Sequence, residues 1–197
     1  MKINLSIIVP YYNVRKDWFL ECIKSVYLAA KKNLKINITL IIIDDCSPIS
    51  QPSLDLIENL RPSNVRKNIL KNKKNIGVAE TRNIGIDLVP DDHYIYFLDA
   101  DDKLCGIPSL DKYDLILGSH LFFGEEEKIE IITSKEDIKK LCARKHYKNL
   151  LLRNTNPVSG YFIKKNVIAD LRFRENLLVE DWCFWIDLFS KLSDKKL

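Results

Sequence analysis

The sequence lacks several features that assign many proteins to a class at once. It has no run of about 18 apolar residues, the length at which a helix crosses a bilayer. Its five cysteines are odd in number and include no Cys-Xaa-Xaa-Cys pair, which disfavours a zinc site or disulfide framework and favours reduced thiols. No apolar leader with a cleavage site opens the chain. We therefore expect a cytoplasmic protein, either soluble or peripherally attached to the cytoplasmic membrane face.

Two nucleotide-binding signatures are also missing. Without Gly-Xaa-Gly-Xaa-Xaa-Gly or a Gly-Lys-Ser/Thr loop, the dinucleotide-binding and P-loop interpretations lack their defining residues. A net charge of +4, with 29% charged residues of both signs, disfavours a nucleic-acid surface and leaves anionic small molecules or an anionic membrane surface as partners. The length of 197 residues suits one domain, and 46% hydrophobic residues suffice for a sizeable core.

The first half of the chain alternates apolar strands with an amphipathic helix. Continuous apolar strands on either side of a helix are typical of a parallel α/β sheet. A short helix and a third strand should follow, and the predicted elements in order are strand Leu5–Pro10, helix Asp17–Lys32, strand Ile38–Asp45, helix Ser53–Leu60 and strand Val65–Leu70.

A cluster of carboxylates follows the next buried strand, Tyr94–Leu98. Asp99, Asp101 and Asp102 come within four residues, and no basic residue lies among them. Carboxylates this close repel one another unless a cation lies between them, and Mg²⁺ or Mn²⁺ prefers such oxygen ligands. We interpret the cluster as a divalent-metal and phosphate site. The alternative is a polar turn, since Asp-Xaa-Asp is a common tripeptide.

The segment before that strand is rich in glycine and basic residues. Gly77 near a helix start and Arg82 inside the helix would suit a diphosphate, which backbone N–H groups and a guanidinium can bind. Read without a ligand, Gly77 is a turn residue and Arg82 a solvated helix residue.

Three predicted strands end in polar residues, and this convergence favours the ligand interpretation. The carboxyl ends of parallel strands lie side by side, so the three clusters should line one crevice. An aromatic ring, carboxylates and a cationic helix start together describe a nucleoside diphosphate site. The clusters are Tyr12 with Asn13, Asp44 with Asp45, and Asp99 with Asp101.

These motifs resemble, in order, those of the family 2 inverting glycosyltransferases, which have the GT-A fold. The resemblance implies one Rossmann-like α/β domain over residues 1–197, with a mostly parallel central sheet flanked by helices. Residues 1–104 would form the nucleotide-binding half and residues 105–197 the acceptor-side half, which would be either minimal or truncated at its carboxyl end. The segments that carry it are Ser6–Asn13, Ile43–Ser47, Asn75–Gly85 and Phe97–Asp102.

The resemblance implies that the donor is a nucleotide-sugar, and among these a UDP-sugar is the donor that we expect. Pro10 and Tyr12 would border the base, and either Asp44 or Asp45 would accept from the uracil N3–H. Arg82 would lie near the diphosphate.

The resemblance also implies a metal at the carboxylate cluster. Asp99 would reach the ribose or the metal, and Asp101 would bind Mn²⁺ or Mg²⁺. Such an ion stabilises charge on a leaving phosphate.

The second half of the chain is less regular. It contains strand material at Tyr113–Leu117, an alternating edge strand at Lys128–Thr133 and a basic amphipathic helix at Lys135–Leu152, whose basic side is more simply a solvated face than a membrane surface. Near it, Ser159 and Gly160 resemble the family segment that approaches the donor sugar and acceptor, a set to which we add Asp102.

Two adjacent acids, Glu180 and Asp181, precede an aromatic helix. They could simply be N-terminal helix residues favoured by the macrodipole. The family resemblance implies instead that Asp181 is the general base and Glu180 its neighbour. Burial beside tryptophans would raise the pKa of Asp181 towards that task.

The sequence therefore predicts a metal-dependent inverting glycosyltransferase. A glycan, a lipid-linked oligosaccharide or a protein-linked glycan would serve as acceptor. The alternatives are a non-catalytic or incomplete nucleotide-binding remnant of this fold, or a nucleotidyltransferase, although Tyr11–Val14 is not the glycine-rich loop that such an enzyme needs. A phosphoacceptor receiver domain would explain Asp44 and Asp45 but neither later acidic cluster.

Overall fold

The computed structural model describes residues 2–49, 52, 54–118 and 158–193. The predicted strands and helices inside these ranges are present, with ends shifted by a few residues, and the residue 54–60 segment is a 3-10 helix. The predicted strand at 128–133 and basic helix at 135–152 lie outside the described residues. The elements are β1 (Ile3–Tyr11), α1 (Lys16–Lys32), β2 (Ile36–Asp44), the 3-10 helix (Leu54–Leu60), β3 (Val65–Lys71), α2 (Val78–Asp87), β4 (Tyr94–Phe97), β5 (Leu115–Leu117), β6 (Tyr161–Lys164), α3 (Lys165–Ile168) and α4 (Glu180–Ser193).

The described strands form one six-stranded sheet in the order β3-β2-β1-β4-β6-β5. Strands β3, β2, β1 and β4 are parallel, whereas β6 runs antiparallel to both β4 and β5. The predicted α/β class with a mostly parallel sheet is therefore confirmed. In this order β1 is central, so the ends of β2, β1 and β4 are neighbours at one edge of the sheet.

Helices cover both faces of the sheet, which explains why β1 has almost no polar residue. Successive strand residues point to opposite faces, so Ile7 packs in the cluster beneath α1 while Ile8 packs in the cluster beneath α2 and α4. Phe19 and Ile23 of α1 are fully buried against the first face. Both faces of the sheet are therefore apolar and buried, and polar side chains lie at the strand ends.

Helix α2 approaches β1 closely. A Cβ atom at Gly85 would lie 2.5 Å from Ile8 Cγ2, so only glycine fits between this helix and the central strand. This close contact fixes the distance between α2 and the sheet. Along the described part of the chain, none of the helices is both long and apolar enough to cross a membrane.

Candidate active site

The ends of β1 and β2 meet through backbone and side-chain hydrogen bonds. The Asp45 N–H donates to the Tyr11 carbonyl at 2.8 Å. Asn13 donates its N–H to Ser47 Oγ at 3.0 Å, and Ser47 donates its N–H to Asp44 Oδ1 at 2.8 Å. The first two polar clusters predicted from the sequence therefore lie together, although 30 residues of chain separate them.

The two carboxylates of this corner are buried and contact protein groups. Asp44 lies 3.5 Å from Lys71 Nζ in an ion pair. Asp45 accepts from the Gly77 N–H at 2.8 Å, the Ile76 N–H at 3.0 Å and Asn72 Nδ2 at 2.8 Å. Asp45 thus anchors the loop that leads into α2, and the contact of either carboxylate with a base stays a prediction.

The remaining predicted base-side residues differ in exposure. Tyr12 is half exposed at the end of β1, so its ring is available to a planar ligand. Pro10 is buried and lies in register with Ile43 of β2. Asn13 and Cys46, which follow the two strands, both have left-handed backbone conformations with φ of 51° and 59°. A left-handed residue therefore follows each of the two strands, at the corner where the Tyr12 ring lies.

The carboxylate cluster lies at the end of β4, as predicted. Asp101 is exposed, Asp99 is one-third exposed and Asp102 is half-buried. The Asp102 N–H donates to the Asp99 carbonyl at 3.0 Å, which closes a turn, and Ser159 Oγ donates to Asp102 Oδ2 at 3.0 Å. Desolvation raises the pKa of Asp102, and the nearby charges of Asp99 and Asp101 add to the rise.

Gly160 lies beside this cluster, at the start of β6. It has φ of 134°, and its carbonyl accepts from the Gly118 N–H at 2.6 Å. The predicted donor-sugar and acceptor residues Asp102, Ser159 and Gly160 are therefore neighbours, although the first two are 57 positions apart in the sequence.

The carboxylates suit a hard divalent cation that is shared with a phosphate ligand. Among the described residues, no group of three or more His, Cys, Asp or Glu side chains is arranged to hold a metal by itself. Mg²⁺ commonly needs only one or two protein carboxylates when substrate phosphates supply further oxygens. Asp101, which is exposed, and Asp99, which is partly exposed, meet that requirement.

Arg82 links this cluster to the acid pair of α4. Its Nη2 donates to Asp99 Oδ1 at 2.7 Å and its Nη1 donates to Glu180 Oε1 at 2.7 Å. The arginine is only 3% exposed, and its guanidinium lies 5.3 Å from the centroid of the Phe173 ring. One buried cation therefore joins residues 17 and 98 positions away in the sequence.

Asp181 lies in the first turn of α4, next to Glu180. Its Oδ1 accepts from the Trp182 N–H at 2.7 Å. Desolvation raises the pKa of Asp181, in the direction predicted from the sequence, and the Glu180 charge adds to the rise while the Trp182 N–H and Arg82 oppose it. A partly desolvated carboxylate with a raised pKa is suited to accept a proton near neutral pH.

Asn83 and Phe173 support the site and were not identified from the sequence. Asn83 Nδ2 donates to the Phe173 carbonyl at 3.0 Å, and the Phe173 N–H donates to Asn83 Oδ1 at 2.8 Å. The Phe173 ring stacks on Phe184 of α4 with centroids 4.1 Å apart and contacts Phe97 of β4 edge-on at 5.1 Å. Asn83 lies inside the motif Asn75–Gly85, and this position could have drawn attention to it. Nothing in the sequence marks Phe173.

A mostly parallel sheet with carboxylates at its strand ends and an acid pair at a nearby helix start agrees with the GT-A class of glycosyltransferases. The chain belongs to the family described as glycosyl transferase family 2, whose sequence model matches residues 6–104. The predicted family and the predicted class of enzyme are thereby confirmed.

Individual relatives agree with this assignment. An uncharacterized glycosyltransferase of Haemophilus influenzae is 28% identical over 205 residues, covering 98% of this chain and 74% of the relative. The amylovoran biosynthesis glycosyltransferase AmsB of Erwinia amylovora is 32% identical over 103 residues, covering 51% of this chain and 32% of AmsB.

The solved structures confirm the GT-A fold. The crystal structure of Staphylococcus aureus TarS 1-349 in complex with UDP-GlcNAc superposes with a TM-score of 0.66 at 19% identity, covering 96% of this chain. The present chain spans 53% of that TarS chain, about half its length.

Proposed function

We propose that this chain transfers a sugar from a UDP-sugar to an acceptor hydroxyl with inversion, assisted by Mn²⁺ or Mg²⁺. The observation that carries the proposal is the Arg82 bridge, because it brings Asp99 at the end of β4 within one side chain of Glu180. This bridge supports an arrangement in which the donor-side carboxylates and the candidate base, Asp181, would face one crevice.

The donor assignment rests on the corner formed by β1 and β2. Tyr12 would cover one face of the uracil and Pro10 would border it, while Asp44 or Asp45 would accept from its N3–H. The half-exposed ring of Tyr12 supports this proposal, and so does the UDP-GlcNAc bound by TarS, which shares the fold.

The metal would be held by Asp101, with Asp99 as a second ligand or a ribose contact. A bound Mn²⁺ or Mg²⁺ would stabilise negative charge on the leaving nucleoside diphosphate. The exposure of Asp101 and the all-oxygen donor set support the assignment.

Asp181 would act as the general base. In a single displacement the acceptor oxygen forms a bond to the anomeric carbon as the bond to the diphosphate breaks, and the acceptor proton passes to the Asp181 carboxylate. The raised pKa of Asp181 supports this role, since the carboxylate gains basicity. Glu180 would hold Arg82 beside it.

The donor-sugar and acceptor site would include Asp102, Ser159 and Gly160, which lie together next to the β4 end. We propose a glycan acceptor in surface polysaccharide synthesis, since AmsB is named for the biosynthesis of amylovoran. Such a role would suit the cytoplasm or the cytoplasmic membrane face. The four cysteines in the described residues are free thiols, in keeping with a reducing compartment.

A thermal-shift screen tests the donor site directly. UDP, GDP, CMP and dTDP would each be added with and without MnCl2, because a ligand that binds only the folded state raises its Tm. We expect a shift with UDP that requires the metal, followed by transfer or hydrolysis of a UDP-sugar. A chain that no nucleotide stabilises would contradict the donor site and favour the incomplete-remnant alternative.

A further inference from the structure

The arginine of α2 has two acidic partners on different elements and lies under a layer of protein. Arg82 is 3% exposed, whereas the side chains of Asp99 and Glu180 are 33% and 12% exposed. Its Nε has no hydrogen-bond partner among the described residues. Both terminal nitrogens are therefore occupied by carboxylates, and the guanidinium has little surface to offer a diphosphate.

A planar guanidinium is suited to this bridge and an ammonium is not. Arginine presents donors in a rigid fork, so Nη1 and Nη2 can contact two carboxylates at once, while the single Nζ of lysine is one point charge. The two contacts are equal in length at 2.7 Å. The distance between the Asp99 and Glu180 carboxylates is thus set by the width of one guanidinium.

The same helix holds the chain that enters α4 by a second, uncharged contact. Asn83, the next residue, exchanges two hydrogen bonds with the backbone of Phe173, seven residues before Glu180. Arg82 and Asn83 are both on a helix that Gly85 places tightly against β1. Arg82 and Asn83 therefore tie the start of α4, and the chain that leads into it, to α2.

We propose that Arg82 is a positioning residue that fixes the first turn of α4, and with it Asp181, against Asp99 at the end of β4. This inference rests on the glycosyltransferase function proposed above. It assigns Arg82 to the alignment of base and donor, where the family resemblance places it near the diphosphate. The two roles predict different kinetic defects.

The test compares Arg82→Lys with Arg174→Lys, a matched control. Arg174 also makes a forked ion pair, to Asp187 of α4, but it lies at the surface. With UDP-sugar and MnCl2, we expect Arg82→Lys to lower kcat about 10- to 100-fold through misplacement of the base, while KM for the donor changes within about threefold. Titration of UDP with MnCl2 should give an unchanged affinity, and Arg174→Lys should match the parent chain in both assays.

A second variant guards against misfolding of Arg82→Lys. Glu180→Gln keeps the shape and an acceptor oxygen for Nη1 but removes the charge. Both variants should speed hydrogen exchange at the Cys183 amide, which donates to the Val179 carbonyl at 3.1 Å in the first turn of α4. If the two residues act through each other, the double variant should lose less kcat than the product of the two single losses.

The kinetic and exchange measurements distinguish a positioning role of Arg82 from a diphosphate contact. A weaker UDP affinity with an unchanged kcat at saturating donor would overturn the proposal and return Arg82 to the diphosphate. Unchanged kcat and unchanged exchange at Cys183 would also overturn it. If the parent chain neither binds UDP nor transfers sugar, the proposed function fails, yet the exchange measurement still shows whether Arg82 orders α4.

Discussion

The β1–β2 corner and the first turn of α4 are held in place by different means. At the ends of β1 and β2, backbone hydrogen bonds hold the two parallel strands together. One example is the 2.8 Å bond from the Asp45 N–H to the Tyr11 carbonyl. Helix α4 has no such ladder to the sheet, and its first turn is held by side chains of α2, Arg82 above all. Strand register depends on many backbone bonds, whereas the first turn of α4 has only a few polar contacts. The rest of this helix packs on the sheet through Phe184 and Trp185.

The difference has a consequence for mutations. Single substitutions on the strand side should alter nucleotide or metal binding, since the surrounding backbone keeps its place. Substitutions around α4 should alter the rate of the chemical step, since the base moves or disappears while the donor pocket remains. The predictions are ordered by decreasing effect: those at Asp181, Asp101 and Ser159 test this division, and that at Gly85 tests the close packing of α2 on β1.

Replacement of Asp181 by Asn should abolish most transfer and spare nucleotide binding. A general base contributes about 10²- to 10⁴-fold to a rate, so kcat should fall by that factor. In the parent chain, the base must be ionised and its pKa is raised, so the rate should fall with acid at a pH above the usual carboxyl range of about 4. Steady-state kinetics at a series of pH values give kcat and its dependence on pH.

Asp187→Asn is the control, because Asp187 lies on the same helix and pairs at the surface with Arg174. It should keep the parent rate and pH profile. A loss of UDP affinity in Asp181→Asn would break the division between the two halves.

Replacement of Asp101 by Ala should remove the metal-dependent part of UDP binding. With UDP at about a hundredfold excess over its Kd, binding stabilises the parent chain by about 2.7 kcal/mol, and the variant should lose that gain. The Tm with UDP, with and without MnCl2, is the measurement. Asp91→Ala, at an exposed turn before β4, should retain the full shift. A shift that persists in Asp101→Ala would move the metal to other ligands.

Replacement of Gly85 by Ala should destabilise the fold. The new Cβ would lie 2.5 Å from Ile8 Cγ2, and overpacking of this kind costs about 1–3 kcal/mol. For a chain of this size each kcal/mol lowers Tm by about 2–4 °C. Gly106→Ala, where nothing lies within 4 Å of the new Cβ, should leave Tm unchanged. Equal Tm values for the two variants would show that α2 is free to shift over β1.

Replacement of Ser159 by Ala should have the smallest effect. It removes the 3.0 Å hydrogen bond to Asp102, which is worth about 0.5–1.5 kcal/mol. Because that bond lowers the pKa of Asp102, its loss should raise the pKa further. Donor KM should change by less than about tenfold, the equivalent of 1.4 kcal/mol. Ser109→Ala, which removes an exposed bond to Asp111, is the control and should leave KM unchanged.

The strand ends were predictable because the rule that places them is general. Apolar runs followed by Asp44, Asp45 or Asp99 needed only the parallel arrangement to become neighbours, and the sheet has that arrangement. The acid pair at 180–181 was also visible, although the residues alone left a helix start as the simpler interpretation. The family resemblance decided between the two.

The contacts of Arg82 were beyond such rules. A sequence places an arginine one turn into a helix, and both solvent exposure and a phosphate contact are compatible with that place. Which carboxylates it meets depends on the height of α2 over β1, the turn after β4 and the entry of α4, three features set by packing. The role of Phe173 was equally hidden in the sequence. Its ring packs between Phe97 of β4 and Phe184 of α4, and no sequence pattern indicates that these two elements meet.

By itself, the sequence determined the order of strands and helices, the polar character of the strand ends and the family. Those follow from local periodicity and from short motifs, in which neighbouring residues carry the signal. Only the tertiary structure decided that one buried guanidinium joins Asp99 to Glu180. The reason is physical: the energy of a buried charge depends on every group around it, and those groups come from segments up to 98 positions apart.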